Sequence, residues 1–529
     1  MDLAKEIKHI NFNWKLESKY MLRLCFPIFI QTLFFAVVTI VGSLATSFYN
    51  RAFHIDGSYA GYYFYTFAKV FVVYKIITFL PLMYQLGVLV VASNLYGQEK
   101  EKEIIKLLWS AFYVSLIINA GAYLIIFFSA PKLLELSGAK NNFVLAWKNR
   151  SEFDLFKTNL EKANLTINDV YKLDLSHHVF QGGFYEGKMY GNTNVFVEIT
   201  NENKFATTFL RIGSLDIFIT SIAFILNSSL QAIKKNKQAI IGVIVGTIIR
   251  TIWIFLILYV AKRPFIASLE IGLGALINII IAFIFVKKYI IKHNHIKFKE
   301  TWNNKYVKEM LKIGFPIALE TGIWFVAQYL LSKAIPDGKL NDRFIGLWRA
   351  VNNVYDLFAA FLFALSYVTS SIIATEIGKN QFERAKKLGN LSFKLGISIQ
   401  LIFGFLGIIF TYPMFKIYSI ETELINKYCY YLMTIFMIKT LADVGPLTSL
   451  RALWGSNDVW MPNLISLITM IGLQTSLVYI LILFRSDSLT QEMFLISLSA
   501  IAIIDPLLRS ILYGLRWNSG VWTKFAKKL

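Results

Sequence analysis

Polar and ionisable residues that interrupt long apolar runs are the ones in this sequence that could do chemistry. The clearest group is Arg349, Asn352, Asn353 and Asp356, whose spacings of three, four and seven place all four on one face of a helix. A charge at bilayer depth is costly, so such groups face a polar interior or a partner. We therefore predict that they line a watery cleft. A structural Arg349–Asp356 pair, or one snorkelling to the surface, is the alternative.

A second set of candidates follows two prolines. Glu320 lies four residues after Pro316, and Gln31 lies four residues after Pro27. A proline within a helix frees a backbone carbonyl, and oxygens beside a carboxylate suit a hard cation or a bound proton. Glu320 and Asp356 are therefore candidate Na⁺ ligands. The alternative for Glu320 is an ordinary carboxylate in the headgroup region.

Other buried charges are candidates with simpler explanations. Lys75 corresponds to Asp356 in the internal repeat described below, so the two could pair across a cleft or each pair within its own half. Asp216 is a candidate proton carrier if it faces the cleft. Asp443 has Lys439 one helical turn before it, and we expect this pair to serve packing. Asp505 and Arg509 have the same spacing, and we expect the same role for them.

Signals of catalysis are missing from the sequence. His177 and His178 lie in a polar segment without cysteines or clustered carboxylates, so we expect solvated surface there and no metal site. No Walker loop is present to bind ATP. We therefore predict a protein that is not an enzyme and has no cofactor beyond a coupling Na⁺ or H⁺.

The elements that must hold these residues are membrane helices. The chain has 529 residues, is 56% hydrophobic and only 16% charged, and its mean hydropathy is +0.53. Soluble domains carry about a quarter charged residues, whereas runs of about 20 apolar residues match a bilayer. Such runs recur along the whole chain, which excludes a soluble enzyme and a single-span anchored domain. The net charge of +21 is carried mainly by short loops, where it sets topology, so we expect no nucleic-acid partner.

We predict an all-α polytopic membrane protein of about twelve transmembrane helices in two six-helix bundles, with an extra polar insert between helices 3 and 4. The predicted spans fall near 22–48, 61–92, 104–130, 207–232, 238–260, 265–287, 309–335, 345–374, 391–415, 425–450, 459–484 and 492–515. The predicted segments are a cytoplasmic N-terminal segment 1–20, an N-lobe 21–290 including the insert 141–204, a basic linker 291–308, a C-lobe 309–516 and an interfacial tail 517–529.

The two halves are a parallel repeat, because each contains an even number of helices. Their matching segments are 21–28 with 310–317, Gly97 with Gly378, and Gln231 with Arg451. The shorter offset at the last pair places roughly 60 extra residues in the first half, which fits the insert 141–204. Within it, 153–173 could be helical, and the alternation over 194–199 predicts a strand.

Charge sets the predicted orientation. With the N-terminus inside, the inner segments carry about 29 Lys and Arg residues and the short outer loops about 9. We therefore expect a multi-pass protein of the bacterial cell membrane with both termini cytoplasmic and the insert outside. Its expected partners are the lipid bilayer and a small organic substrate, and we expect a monomer.

The chain resembles the multidrug and toxic compound extrusion (MATE) transporters. The resemblance is carried by the Phe-Pro steps at Phe26 and Phe315 and by two duplicated motifs, which are 92–98 with 374–378 and 230–237 with 450–457. It implies a two-lobed antiporter that exports organic, often cationic, compounds against inward Na⁺ or H⁺ through a central cleft opening alternately to each side. Many relatives carry an acidic residue deep in the first span, whereas here Gln31 is the only large polar side chain in the first half of that span and no carboxylate follows. Glu320 and Asp443 lie out of register with the acidic positions of the family.

Two other functions remain open from the sequence. A lipid-linked saccharide or lipid flippase of the same superfamily would need cations for phosphate, and Lys69, Lys75 and Arg349 are available. A receptor or assembly factor would instead act through the insert. Deleting 141–204 would distinguish a transporter, which should keep some transport, from a receptor or assembly factor, which should lose its function.

Overall fold

The computed structural model describes residues 12–52, 70, 73–74, 78–136, 143–147, 158, 178–181, 183–185, 188–190, 196–200, 202–260, 269–292, 301–338, 340, 342–417, 422–483 and 490–526. The predicted helix at 153–173 lies almost entirely outside the described residues.

Helices account for nearly all of the described membrane region. In the first half they are α1 (Trp14–Ala52), α2 (Phe79–Gly97), α3 (Glu101–Leu136), α4 (Glu202–Gly213), α5 (Asp216–Ala232), α6 (Asn236–Phe255) and α7 (Glu270–Val286). In the second half they are α8 (Asn304–Asp337), α9 (Asp342–Gly378), α10 (Phe382–Ile409), α11 (Thr411–Ile417), α12 (Thr422–Leu424), α13 (Tyr430–Ala442), α14 (Val444–Gly455), α15 (Trp460–Ser466), α16 (Thr475–Leu483) and α17 (Gln491–Asn518). Short π-helical segments at Leu256–Val260, Lys287–Ile291, Ile425–Cys429 and Leu467–Gln474 extend or join them, and a 3₁₀ turn at Val521–Lys524 follows α17.

Eleven helices of the described part are long and apolar enough to cross a membrane. The predicted tenth span is present but divided, because α13 ends at Ala442 and α14 begins at Val444, with Asp443 between them. Each piece alone is too short to count as a crossing. The predicted fourth span has a similar break between Gly213 and Asp216. The helical membrane architecture is therefore confirmed, with the fourth and tenth helices interrupted.

The segment between α3 and α4 contains short strands. They are β1 (Phe143–Trp147), β2 (His178–Gln181), β3 (Gly183–Tyr185), β4 (Lys188–Tyr190) and β5 (Phe196–Thr200). Strand β5 lies between β1 and β2 and pairs antiparallel with both, while β3 and β4 form a hairpin. The predicted strand at 194–199 corresponds to β5, whose alternating residues form the middle of the sheet.

The internal repeat is visible in the turns that follow α2, α5, α9 and α14. Glu99 and Asn380 have left-handed φ angles of 62° and 61°, and Lys234 and Asn457 have φ angles of 63° and 67°. These non-glycine positions are uncommon enough to mark equivalent turns. Because Lys234 and Asn457 are equivalent, the residue equivalent to Gln231 is Trp454. The sequence-based pairing of Gln231 with Arg451 is therefore displaced by three residues, about one helical turn.

The two halves pack together at one end of the bundle. We call this end the termini face, since the start of α1 and the end of α17 lie there. Arg384 at the start of α10 pairs there with Glu17 at 2.7 Å, and Arg516 pairs with Asp458 at 2.6 Å. A Cβ on Gly97 would lie 2.2 Å from the carbonyl oxygen of Thr375. Only glycine permits such close approach of two backbones.

The same approach recurs in the other half. A Cβ on Gly378 would lie 2.2 Å from the carbonyl oxygen of Asn94, and nearby Ser93 and Ser371 share a hydrogen bond of 2.9 Å. The ends of α2 and α9 therefore cross tightly at the termini face. We call this crossing, formed by 93–97 and 371–378, the interlobe seal.

Candidate functional site

Asp356 lies on the face of α9 that is turned towards the N-lobe. Further along the same face, the carbonyl oxygen of Ala360 accepts a hydrogen bond of 2.9 Å from Thr32 of α1, and Tyr367 shares a hydrogen bond with Gln85 of α2. Ser371, within the interlobe seal, shares a hydrogen bond with Ser93 of α2. Successive members of the series Asp356, Ala360, Tyr367 and Ser371 are four, seven and four residues apart, close to whole helical turns, so they share one side of the helix. Asp356 therefore lies on this side of α9, about one turn before Ala360, with an exposed side chain.

The neighbours of Asp356 on α9 share this direction. Asn352 is partly buried and donates its Nδ2 to the carbonyl oxygen of Trp348 at 2.8 Å, and the Nδ2 of Asn353 is buried without a hydrogen-bond partner. Arg349 belongs to the same helix, but its side chain lies outside the described residues. Asn352 and Asn353 thus lie beside the exposed Asp356 on α9, and the predicted lining of a cleft by the four residues stays a prediction.

Glu320 is enclosed in the C-lobe by donors. Its side chain is 5% exposed, and its Oε1 accepts a hydrogen bond from Ser466 Oγ at 2.9 Å and one from Arg509 Nη1 at 3.3 Å. Arg509 also donates hydrogen bonds to both carboxylate oxygens of Asp505, the shortest of which is 2.7 Å. The alternative in which Glu320 is an ordinary headgroup carboxylate is therefore wrong, because α15 and α17 cover it.

The predicted Asp505–Arg509 pair forms, and it extends to the third partner Glu320. The three side chains contain two carboxylates and one guanidinium, and all are buried. A charge buried without a partner is costly, and the shared guanidinium offsets that cost for both acids. We call Glu320, Asp505 and Arg509 the C-lobe triad.

Oxygen atoms near the two prolines differ in their hydrogen bonding between the lobes. The carbonyl oxygen of Pro316 accepts a hydrogen bond of 2.7 Å from Asn463 Nδ2, so this oxygen is used by the protein near Glu320. At the equivalent N-lobe position, the Oε1 of Gln31 is buried without a hydrogen-bond partner. The oxygen-rich cation cradle predicted at Glu320 is instead occupied by N–H and O–H donors.

Asp443 lies at the break in the tenth span and is held by two partners. Tyr355 of α9 donates its hydroxyl to Asp443 Oδ2 at 2.5 Å, and Lys439 Nζ lies 2.6 Å from the same oxygen. The ammonium group of Lys439 also lies 4.2 Å from the centre of the Tyr355 ring. The expected Lys439–Asp443 pair is present. The tyrosine that also binds Asp443 is Tyr355, the residue directly before Asp356.

Asp216 has an equivalent arrangement inside the N-lobe. Tyr74, the counterpart of Tyr355, donates its hydroxyl to Asp216, and Thr220 donates to the other carboxylate oxygen at 2.6 Å. Asp216 is 4% exposed and lies against Gly272 at the start of α7. Asp216 is therefore enclosed by residues of the N-lobe, and its role as a proton carrier stays a prediction.

The equivalent turns reveal a reversal of charge between the lobes. Asp216 stands eighteen residues before Lys234, and Lys439 stands eighteen residues before Asn457. The acid Asp216 of the N-lobe therefore corresponds to the base Lys439 of the C-lobe. The C-lobe acid, Asp443, lies one helical turn after Lys439. Both lobes still satisfy the buried acid with a tyrosine from the equivalent helix.

Three further residues make contacts that the sequence did not indicate. Arg451 stacks 4.2 Å from the Trp454 ring, and its Nε and Nη1 are buried without hydrogen-bond partners. Tyr355 and Lys234 contact residues far away in sequence. Lys234 had one available signal, since it occupies the turn position of a duplicated motif.

Several predicted residues cannot be placed. Lys69 and Lys75 lie outside the described residues, so the cross-cleft Lys75–Asp356 pair stays a prediction. The same holds for the side chain of Arg349, and with it for the cationic lining that a flippase would need. Among the residues that the structure describes, no group of three or more His, Cys, Asp or Glu side chains could hold a metal ion.

Comparison with known proteins identifies the fold. The MatE family model matches residues 338–480. A structure described as the outward-facing conformation of a multidrug resistance MATE family transporter of the MOP superfamily is similar with a TM-score of 0.72 at 11% identity, covering 95% of this chain and 96% of the other. A MATE structure in complex with MaL6 gives 0.71 at 10% identity, with 95% and 97% covered.

A further similar structure is that of another MOP superfamily transporter. It is a MOP superfamily transporter from Pyrococcus furiosus Vc1, described as having a pocket of reverse polarity that suggests a different function. Its TM-score is 0.71 at 12% identity, with 97% of each chain covered. No curated protein sequence matches this chain. The predicted fold class and the resemblance to MATE transporters are confirmed, and at these identities the likeness to the solved structures shows the fold.

Proposed function

We propose that this chain, which carries the MatE match and the fold of MOP superfamily transporters, is a secondary transporter that exports organic compounds by antiport with Na⁺ or H⁺. Its two lobes would rock about a site near the bilayer midplane, opening it alternately to each side. With the predicted orientation, the termini face and the interlobe seal are cytoplasmic. The chain would then be closed to the cytoplasm in this conformation.

The observation that carries the proposal is the position of Asp356. It shares a helical face with Ala360, Tyr367 and Ser371, which contact the N-lobe, yet it is itself exposed. Asp356 lies fifteen residues before Ser371, or about 22 Å along a helix. An exposed acid between lobes that touch beneath it supports an outward-opening cleft. Its negative charge favours organic cations as substrates.

The C-lobe triad supports a coupling role. Arg509 is shared by two carboxylates, so one negative charge remains within the triad. A proton on Glu320 would free Arg509 to pair with Asp505 alone. Na⁺ would have to displace a guanidinium and the Ser466 donor, so we favour H⁺ as the coupling ion.

Transport in vesicles tests the proposal. We expect efflux of a fluorescent organic cation from proteoliposomes to depend on an imposed H⁺ or Na⁺ gradient. We expect Asp356→Asn to reduce it at least tenfold and Glu320→Gln to weaken its dependence on the gradient. Asp337→Asn is the matched control, since Asp337 lies at the outer end of α8 in a loose 3.8 Å pair with Lys333. Flux that ignores both gradients, or full activity in Asp356→Asn and Glu320→Gln, would remove the proposed site.

A further inference from the structure

A lysine from the N-lobe spans the interface beside the interlobe seal. Lys234 occupies the turn between α5 and α6, outside the membrane spans that end at Ala232 and begin at Asn236. Its Nζ donates to the Oγ of Ser371 at 2.7 Å and to the carbonyl oxygen of the same residue at 3.1 Å. Ser371 belongs to the C-lobe, so these two hydrogen bonds exist only while the lobes are in contact at this face.

The surroundings of the Lys234 ammonium group leave little room for water. A cavity of about 10 Å³ beside it is lined by Gln231, Asn236 and Tyr367 together with apolar residues of α1 and α9. That volume corresponds to about one water molecule. The side-chain oxygens of Gln231 and Asn236 have no hydrogen-bond partner, so they could accept from such a water.

The charged groups around Lys234 do not form an ion pair with it among the described residues. At the end of α9, Glu376 attracts the ammonium group and Lys379 repels it. Glu376 is already engaged by Lys379 at 3.1 Å and lies 3.6 Å from Arg384 of α10, which in turn binds Glu17 of α1. The remaining charges are those of its own turn and the start of α6, Lys235 and Lys237, both exposed.

We propose that Lys234 is a proton-binding site that couples separation of the lobes at the termini face to the uptake of one proton. The inference rests on the rocking motion in the proposed function, and it assigns a proton site distinct from the C-lobe triad. In the closed state the amine donates to Ser371 at a partly buried position of the interface. When the lobes part, the same amine meets water and can carry a full ammonium charge without loss of solvation.

The protonation energetics follow from burial. Burial lowers the pKa of Lys234 from 10.5 to about 7 in the closed state, with Lys379 adding to the shift and Glu376 opposing it. In the open state the hydrated amine would return towards its ordinary pKa. The open state therefore binds more protons between the two values, and lowering the pH favours opening. The open-to-closed ratio should rise about ninefold from pH 9 to 8, about fivefold from pH 8 to 7, and less than twofold from pH 7 to 6.

Distance measurements between spin labels test the proposal without relying on transport. Lys102 and Glu383 are exposed, equivalent positions at the starts of α3 and α10, near the seal in opposite lobes. Cysteines placed there, in a background with the buried Cys25 and Cys429 changed to alanine, would report the closed and open populations in nanodiscs from pH 6 to 9. We expect the long-distance population of the otherwise unmodified protein to follow the profile above.

Three variants separate the proton site from other causes of pH dependence. Lys234→Met removes the titrating group and Lys234→Arg keeps a permanent charge, so both should flatten the profile, with the arginine variant more open. Lys237→Met, at an exposed position three residues away, should leave it unchanged. Opening that is independent of pH in the parent, or a profile preserved in Lys234→Met, would overturn the proton site while leaving rocking intact. Lobes that never part in any variant would reject both the proton site and the proposed transport cycle.

Discussion

Removing Arg509 should destabilise the protein more than removing either of its acidic partners. Arg509 makes three contacts of 2.7–3.1 Å with Asp505 and one of 3.3 Å with Glu320. In Arg509→Gln two buried carboxylates would face each other without a cation. Breaking a buried ion pair from one side costs about 3–5 kcal/mol. In Glu320→Gln, by contrast, Arg509 keeps Asp505 and Ser466 can still donate to the amide oxygen, so we expect a cost of about 1 kcal/mol.

Reversible unfolding in mixed SDS micelles would measure these free energies. The double variant Arg509→Gln with Asp505→Asn should be about 2 kcal/mol more stable than Arg509→Gln alone, because it removes one of the stranded charges. Arg384→Gln is the matched control, since this partly exposed arginine also pairs with a glutamate and its loss should cost under about 1 kcal/mol. If Arg509→Gln costs no more than the control, or the double variant regains nothing, the triad is not the charge-sharing unit inferred here.

Two further predictions concern the lobes and their seal. Tyr355→Phe should lower the free energy of unfolding by about 1–2 kcal/mol, because Asp443 loses one of its two partners in a buried site; an unchanged value in the same SDS titration would contradict this. Gly378→Ala should lengthen the distance between labels at 102 and 383, because the new Cβ would meet the carbonyl oxygen of Asn94 at 2.2 Å. Gly514→Ala, whose Cβ would meet nothing within 4 Å, should not, and equal distances in both variants would show that the seal tolerates a methyl group.

Part of the candidate site was predictable because helices impose fixed spacing. The stripe of Asn352, Asn353 and Asp356 follows from the 3.6-residue period alone. The Lys439–Asp443 and Asp505–Arg509 pairs follow from the same rule, since residues one turn apart are neighbours on any helix. These predictions required no knowledge of how helices pack.

Contacts between helices were not predictable in this way. Glu320 and Arg509 are 189 positions apart, and Lys234 and Ser371 are 137 apart. Nothing in local spacing indicates that Arg509 would turn from Asp505 towards a second acid. The contact between Tyr74 and Asp216, which are 142 positions apart, was likewise not indicated by local spacing.

The sequence by itself determined the membrane class, the approximate limits of most spans, the repeat and the extra segment between the third and fourth helices. It did so because bilayer thickness and helical period act on each segment independently of its neighbours. Only the tertiary structure decided which buried charges share partners, which face the space between the lobes, and which end of the bundle is closed. Those outcomes depend on the approach of helices that are distant in sequence, and here glycines such as Gly97 and Gly378 set how close that approach can be.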